Sequence, residues 1–185
     1  MEKSSWARTM LTVYSYLDRV AGAIDKIVQK RALNSFYYTS ATSGYNDIVT
    51  VSDDILALTE RKVNLINMKV ICQKALKKIK PEYAKLLILT FIDKRTTSET
   101  AKLLKISNRT YFRKITLALN SFEKEIKNMG YTDEKLDKIY ESEGWILEAK
   151  NQTDEQEEKQ IETVSFKNIY CNFGFTHQIH SSLTF

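Results

Sequence analysis

Residues 79–126 read IKPEYAKLLILTFIDKRTTSETAKLLKISNRTYFRKITLALNSFEKEI, in which apolar segments alternate with short polar links. Pro81 fits the first turn of a helix, and the apolar residues after it predict a mostly buried helix. Thr97 or Ser98 is the expected cap of the short SETAKLLK helix, and Ser107 is the expected cap of the third, longer helix. Three helices with a tight link before the last one predict a helix-turn-helix unit.

The third helix is expected to turn one face inward and the other towards a DNA duplex. Its predicted inner face has helical spacing and consists of Tyr111, Ile115, Ala118, Leu119 and Phe122. Four side chains then point outward from its first turns and are assigned to base reading: Asn108, Arg109, Phe112 and Arg113. Arginine pairs bidentately with guanine, asparagine pairs with adenine, and an apolar ring contacts the methyl group of thymine.

Basic side chains around this helix are expected to hold the phosphate backbone. Residues 94–128 contain nine basic and three acidic side chains, a net charge of +6. Phosphate contacts, which supply affinity without sequence choice, are assigned to Lys94, Arg95, Lys102, Lys105 and Lys114. The alternative at this point is a solvated basic face on a trihelical domain that binds protein.

The same 48 residues resemble region four of bacterial sigma factors, the part that reads the −35 promoter element. The similar pieces are the apolar first helix, the SETAKLL helix, the Ile-Ser pair before the recognition helix, and Ala118-Leu119 near its end. The resemblance implies that the outward positions just after the capping serine touch bases. Phe112 departs from the basic or polar residue usual there, so no promoter preference is carried over.

The layout of the whole chain resembles phage and prophage transcriptional regulators of the autolysin-regulator and late-gene-activator type. Those proteins have an N-terminal helix, a Ser/Thr/Gly loop, a second long helix and a terminal region-four-like unit. This chain differs by adding some 57 residues after the helix-turn-helix, and no stretch resembles the aromatic promoter-melting helix of sigma region two. The resemblance implies double-stranded DNA as a partner and leaves direct contact with RNA polymerase open.

Two long helices are expected before residue 79, joined by the loop NSFYYTSATSGYNDIVTVS at residues 34–52. The first helix, from about Ser4 to Leu33, has a seam of alternating spacings 4 and 3, formed by Trp6, Met10, Val13, Leu17, Val20, Ile24 and Ile27. This seam is equally compatible with burial inside the chain and with a homodimeric coiled coil. Ser52 is the expected cap of a second helix that extends to about Ile79, which makes a helical hairpin.

The C-terminal part is acidic and then aromatic. Residues 133–162 contain eleven acidic and four basic side chains, and a short helix is expected around Leu136, Ile139 and Tyr140. The run Asp154–Glu162 is interpreted as a solvated linker; the alternative is that it folds over the +6 surface and competes with DNA. Zinc binding by Cys171, His177 and His180 is not expected, because C-x5-H-x2-H lacks a paired CxxC.

Composition and motifs exclude several other classes. The 185 residues have a net charge of +5, and two distant cysteines indicate reduced thiols in a cytoplasmic protein. No apolar run is long enough to span a membrane, and no signal sequence opens the chain. There is no glycine-rich phosphate loop, no G-x-S-x-G and no His-Glu-x-x-His, so neither an enzyme nor a cofactor is expected.

The sequence therefore predicts an all-α protein in three parts: an N-terminal helical hairpin at 1–79, a sigma region-four-like helix-turn-helix at 80–128, and a C-terminal extension at 129–185. The expected function is sequence-specific DNA binding in the regulation of transcription. Two alternatives stay open. One is a small terminase-like subunit for DNA packaging that assembles into a ring, and the other is a protein-only adaptor that binds RNA polymerase.

Overall fold

The computed structural model describes residues 5–39 and 45–153, and this part of the chain is all-α. The predicted fold class, a long-helix hairpin followed by a trihelical unit, is confirmed. The elements are α1 (Ser5–Thr39), α2 (Tyr45–Lys78), α3 (Pro81–Leu87) with a π-helical turn (Ile88–Ile92), α4 (Thr97–Leu103), α5 (Asn108–Asn128), α6 (Asp133–Ile139) and α7 (144–153).

Helices α1 and α2 pack against each other as an antiparallel pair. The predicted seam of α1 is buried from Trp6 to Ile24, apart from the half-buried Val20, while Ile27 is exposed. Its residues meet a buried face of α2 that includes Leu65, Met68 and Cys72. The seam therefore packs against α2 of the same chain, which is the first of the two alternatives that the sequence left open.

The predicted loop between these helices is wrong over most of its length. Helix α1 continues to Thr39 instead of ending near Leu33, and α2 begins at Tyr45, so Ser52 lies inside the helix and does not cap it. Only residues 40–44 separate the two helices, and they lie outside the described part of the chain.

Packing explains why the polar composition of this stretch was misleading. Relative to alanine, each serine, threonine or asparagine costs a helix only a few tenths of a kcal/mol. A few long-range contacts between the two helices stabilise them by a similar amount. Ion pairs at the surface link the two helices, between Arg31 and Asp54 and between Lys62 and Asp25, the latter at 2.6 Å. Such contacts join residues that no local pattern relates.

A single hydrophobic core joins the hairpin to the trihelical unit. Its members from α3 to α5 are Leu86, Leu87, Ala101, Tyr111, Ala118, Phe122 and Ile126. The same core continues into the C-terminal extension through Leu136, Tyr140 and Ile146. The extension is thus a packed part of the molecule as far as residue 153.

Helix α6 confirms the short helix expected around Leu136, and hydrogen bonds fasten it to the hairpin. The Trp6 indole Nε1 donates to Asp137 Oδ1 at 2.9 Å, and the Tyr140 hydroxyl donates to the Asn64 carbonyl oxygen at 3.0 Å. Farther along, the hydroxyls of Thr9 and Thr153 lie 3.2 Å apart. The extension therefore lies against α1 and α2.

A buried carboxylate fixes the start of α7. Glu143 receives two hydrogen bonds from Arg61 of α2, from Nε at 2.7 Å and from Nη2 at 3.1 Å. The Trp145 indole Nε1 adds a third at 3.0 Å. Hydrogen bonding to this carboxylate raises the pKa of Arg61. The arginine that interrupts the apolar side of α2 thus has its partner in the C-terminal extension.

The acidic run Asp154–Glu162 and the residues Cys171, His177 and His180 lie outside the described residues. None of the helices within 5–39 and 45–153 is both long enough and apolar enough to cross a membrane.

Thr100 of α4 is fully buried, and its hydroxyl has no hydrogen-bond partner in the described structure. We expect Thr100→Val to raise the free energy of unfolding by about 1 kcal/mol, because it removes an unpaired polar group without leaving a cavity. Denaturant unfolding measures the change. Thr9→Val is the matched control: Thr9 is equally buried but shares a hydrogen bond with Thr153, so its replacement should lower stability. An equal loss in both variants would contradict the prediction.

Candidate nucleic-acid interface

Helix α4 begins with a capping box whose first residue the sequence pattern placed one or two positions too late. Thr96, not Thr97 or Ser98, precedes the helix, and its hydroxyl accepts a hydrogen bond from the Glu99 backbone N–H at 3.3 Å. In return the Thr96 backbone N–H donates to the Glu99 carboxylate at 2.9 Å. The Thr96 backbone N–H and the Thr96 hydroxyl both donate to the Glu99 carboxylate, and they hold its pKa below the usual value. The short helix is thereby fixed at its N-terminal end, opposite the end that leads into the turn.

A tight turn connects α4 to α5. The Ile106 backbone N–H donates to the Ala101 carbonyl at 3.0 Å, and that of Lys105 donates to the Lys102 carbonyl at 3.1 Å. Lys105 has a φ of 53°, the left-handed conformation that lets the chain reverse within so few residues. Ser107 then caps α5, because its side-chain oxygen accepts from the Thr110 backbone N–H at 3.2 Å.

The inner face of α5 is the one that the spacing predicted. Tyr111, Ala118 and Phe122 are buried, while Ile115 and Leu119 are half-buried against the same core. The Tyr111 hydroxyl lies 3.2 Å from the Thr90 hydroxyl of the π-helical turn. The rotation of α5 about its own axis is therefore determined by the core.

The outer face of the first turns of α5 is open. All four residues assigned to base reading lie on it and are exposed: Asn108, Arg109, Phe112 and Arg113. The Phe112 ring, 59% exposed, stands edge-on to the buried Tyr111 ring with 5.4 Å between centroids. The structure thus brings together amide, guanidinium and aromatic groups on one surface.

Three of the five residues assigned to phosphate contacts are exposed at the edges of this surface. Arg95 precedes α4, Lys102 lies in its last turn, and Lys105 occupies the turn. None of them has a carboxylate within ion-pair distance in the described part of the chain, and all three are therefore able to meet an external anion.

The other two cations have partners within the chain. The Lys94 ammonium lies over the Tyr16 ring of α1, 3.9 Å from its centroid, and donates to the Tyr16 hydroxyl. This contact lowers the pKa of Tyr16. Lys114 pairs with the exposed Glu82 of α3 at 3.2 Å. Both must exchange a partner before they reach a phosphate.

Sequence reasoning missed Tyr16 and Glu82 as neighbours of the interface. Tyr16 is 78 residues from Lys94, and Glu82 is 32 residues from Lys114. No local signal relates these pairs, since the contacts depend on how α1 and α3 pack around α5.

The described part of the C-terminal extension leaves the outer face of α5 uncovered. It meets α5 at the opposite end, where Lys127 pairs with Asp133 at 3.3 Å. Lys127 lies about 28 Å along the helix from Asn108 at 1.5 Å per residue. Within the described ranges, no group of three or more His, Cys, Asp or Glu side chains is placed to hold a metal ion.

Part of the chain is similar to a known family. A family model described as "Protein of unknown function (DUF1492)" matches residues 40–123, which run through α2, α3 and α4 and into the last third of α5. Helix α1 and the C-terminal extension lie outside that match. No curated protein and no solved structure matches the chain.

Proposed function

We propose that this protein is a sequence-specific DNA-binding regulator of transcription that places the start of α5 in the major groove. The observation that carries the proposal is the shared exposure of Asn108, Arg109, Phe112 and Arg113 on the first turns of a helix whose opposite face is buried. A recognition helix reads base edges with its N-terminal residues.

The turn before α5 adds electrostatic support. Arg95, Lys102 and Lys105 flank the four outward residues and have no internal ion pair in the described structure. Cations at the edges of a recognition helix contact the sugar-phosphate backbone and fix the orientation of the helix on the duplex. The resemblance to sigma region four and to phage and prophage regulators agrees with this arrangement.

Selection from a random pool of DNA duplexes tests the proposal. The purified full-length chain is expected to retain duplexes at low salt and to enrich a short motif, with guanine or adenine opposite the arginine and asparagine side chains. Retention should fall steeply as salt is raised, because counterions are released on binding. If no duplex is retained even at low ionic strength, the proposal is wrong.

Lys102→Ala is expected to weaken binding to all sequences alike and to reduce the salt slope by about 1, because it removes one phosphate contact. Titrations of a selected and a scrambled duplex at several salt concentrations measure both effects. Lys114→Ala is the control, since Lys114 already pairs with Glu82 and should contribute less. A loss confined to the selected duplex would instead assign Lys102 to base reading.

A second candidate function is a protein-only adaptor that contacts RNA polymerase. Two large apolar side chains favour it, because Phe112 and Leu117 are both exposed on α5. In that case DNA affinity stays weak at every salt concentration, and Phe112→Ala reduces capture of purified polymerase while leaving the fold intact.

A further inference from the structure

The outer face of α2 has an apolar stripe that the core does not use. Its positions alternate between spacings of 3 and 4, and all lie on the side away from α1 and α6. We call this set the outer stripe: Val49, Ser52, Leu56, Thr59, Val63, Ile66 and Val70. Such spacing is the pattern by which one helix packs lengthwise on another.

The outer stripe exposes large apolar side chains to solvent. Leu56 is 66% exposed, Val63 48% and Ile66 43%, although the inner face of the same helix is fully packed. Thr59, the central polar member, donates its hydroxyl to the Ile55 carbonyl at 2.8 Å. Burial of Thr59 therefore leaves no hydroxyl unsatisfied, and the stripe is able to become dry along its centre.

Charges flank the stripe in an order that indicates the direction of a partner helix. On the side away from α1, the flanking positions change along the helix from acidic, Asp53 and Glu60, to basic, Lys74. On the α1 side, Lys62 and Lys69 are already neutralised by Asp25 and Asp18 of α1.

The basic end of the stripe adjoins a groove between α2 and the end of α5. This groove has a volume of about 480 Å³, and its lining includes Val70, Lys74, Lys78 and Tyr131. A helix that continues along the stripe would enter this groove with the side chains at its own N-terminal end. The lysines favour acidic side chains at that position.

We propose that the outer stripe binds the outer stripe of a second copy of this chain, with the two α2 helices antiparallel. A second copy provides the same heptad spacing, and a two-fold interface is self-complementary by construction. With Val63 of one protomer facing Ile66 of the other, the acidic Asp53 meets Lys74 across the interface at both ends. A parallel pair would instead place Lys74 beside Lys69, whose charge Asp18 already neutralises, so Lys74 would have no acidic partner across the interface.

This arrangement has a consequence for the proposed function but does not depend on it. Helix α2 leads directly into the trihelical unit, so antiparallel pairing carries the two units to opposite ends of the dimer. In the stated register the C-terminal ends of the two α2 helices are about 40 Å apart at 1.5 Å per residue. Dimeric helix-turn-helix proteins bind half-sites one turn of duplex apart, about 34–36 Å, a separation of the same order.

Sedimentation equilibrium of the full-length chain without DNA tests the dimer. The wild type is expected to sediment as a dimer at micromolar concentration, and Val63→Glu is expected to sediment as a monomer with an unchanged helical circular dichroism spectrum. Leu33→Glu is the matched control, because Leu33 is 61% exposed on α1 and lies off the stripe, so its dimer should persist. A monomeric wild type, or a closed ring of many subunits, would overturn the inference.

Charge exchange tests the direction of the two helices. Asp53→Lys and Lys74→Glu should each weaken the dimer at least several-fold, because each places two like charges together at both ends. The double variant should restore the dimer, because a lysine at 53 then meets a glutamate at 74 of the other protomer. If the double variant is weaker than either single variant, the antiparallel arrangement is wrong.

The dimer and the DNA proposal fail separately. A monomer that still enriches a DNA motif overturns only the dimer, and a dimer that retains no duplex overturns only the DNA-binding function.

Discussion

Replacing Arg109 by alanine is expected to lower affinity for the selected duplex by about 1–3 kcal/mol, roughly fivefold to 150-fold, and to relax the preference at one base pair. Arg109 is exposed in the first turn of α5, and no carboxylate in the described residues neutralises it. A bidentate arginine supplies both affinity and discrimination, so both should fall together. Titration of duplexes that differ at single positions measures the two quantities separately.

Lys124→Ala is the matched control for Arg109→Ala. Lys124 is an exposed cation on the same helix, but it lies about 22 Å farther along the helix at 1.5 Å per residue. Its removal changes the net charge of the protein equally, while the duplex contacted by the first turns is left alone. Equal losses for the two variants on every duplex would mean that only the overall charge attracts DNA, which contradicts base reading.

The second large effect concerns stability. Arg61→Ala is expected to lower the free energy of unfolding by about 3 kcal/mol, because it leaves a buried carboxylate without its cation. The Glu143 side chain is only 2% exposed, whereas that of Arg61 is 41% exposed, which places the effect at the lower end for buried pairs. Denaturant unfolding with tryptophan fluorescence, including Trp145 beside the carboxylate, measures the change.

Arg31→Ala provides the comparison, since Arg31 pairs with Asp54 between half-exposed side chains near the far end of the hairpin. Its loss should be about 0–1 kcal/mol, as for other surface pairs. A double variant, Arg61→Met with Glu143→Leu, should recover most of the stability, because an apolar pair needs no charge compensation. If Arg61→Ala and Arg31→Ala cost the same, the buried carboxylate is not held by Arg61.

The parts of the fold that sequence reasoning predicted are those with local signals. Pro81 stands in the first turn of α3, Ser107 caps α5, and the buried face of α5 follows its helical spacing. The exposure of Phe112 also followed from that spacing, because Phe112 lies outside the set of Tyr111, Ala118 and Phe122 that faces the core. Each of these features depends on residues within a few positions of one another.

The parts that were missed depend on contacts between distant segments. Glu143 is 82 residues from Arg61, and Thr153 is 144 residues from Thr9. The only hints of this packing in the sequence were an arginine within an apolar helix face and an isolated Glu-Gly-Trp sequence. Nothing in the sequence alone identified them as a pair.

The hairpin shows a related limit. Serine, threonine and asparagine made residues 34–52 look like a loop, although α1 and α2 continue through most of them. Composition reports the small intrinsic preferences of single residues, and the packing of two long helices outweighs their sum. The same continuation of α2, back to Tyr45, adds Val49 to the outer stripe.

The single core that runs from Trp6 to Ile146 has a thermodynamic consequence. We expect the described residues, whose segments share one core, to melt cooperatively, so that α5 and the surroundings of the Trp6 and Trp145 indole rings lose their structure at one temperature. A ligand that binds only the native state raises that temperature for the whole molecule. Intrinsic fluorescence therefore detects occupancy of α5 although neither tryptophan lies on that helix.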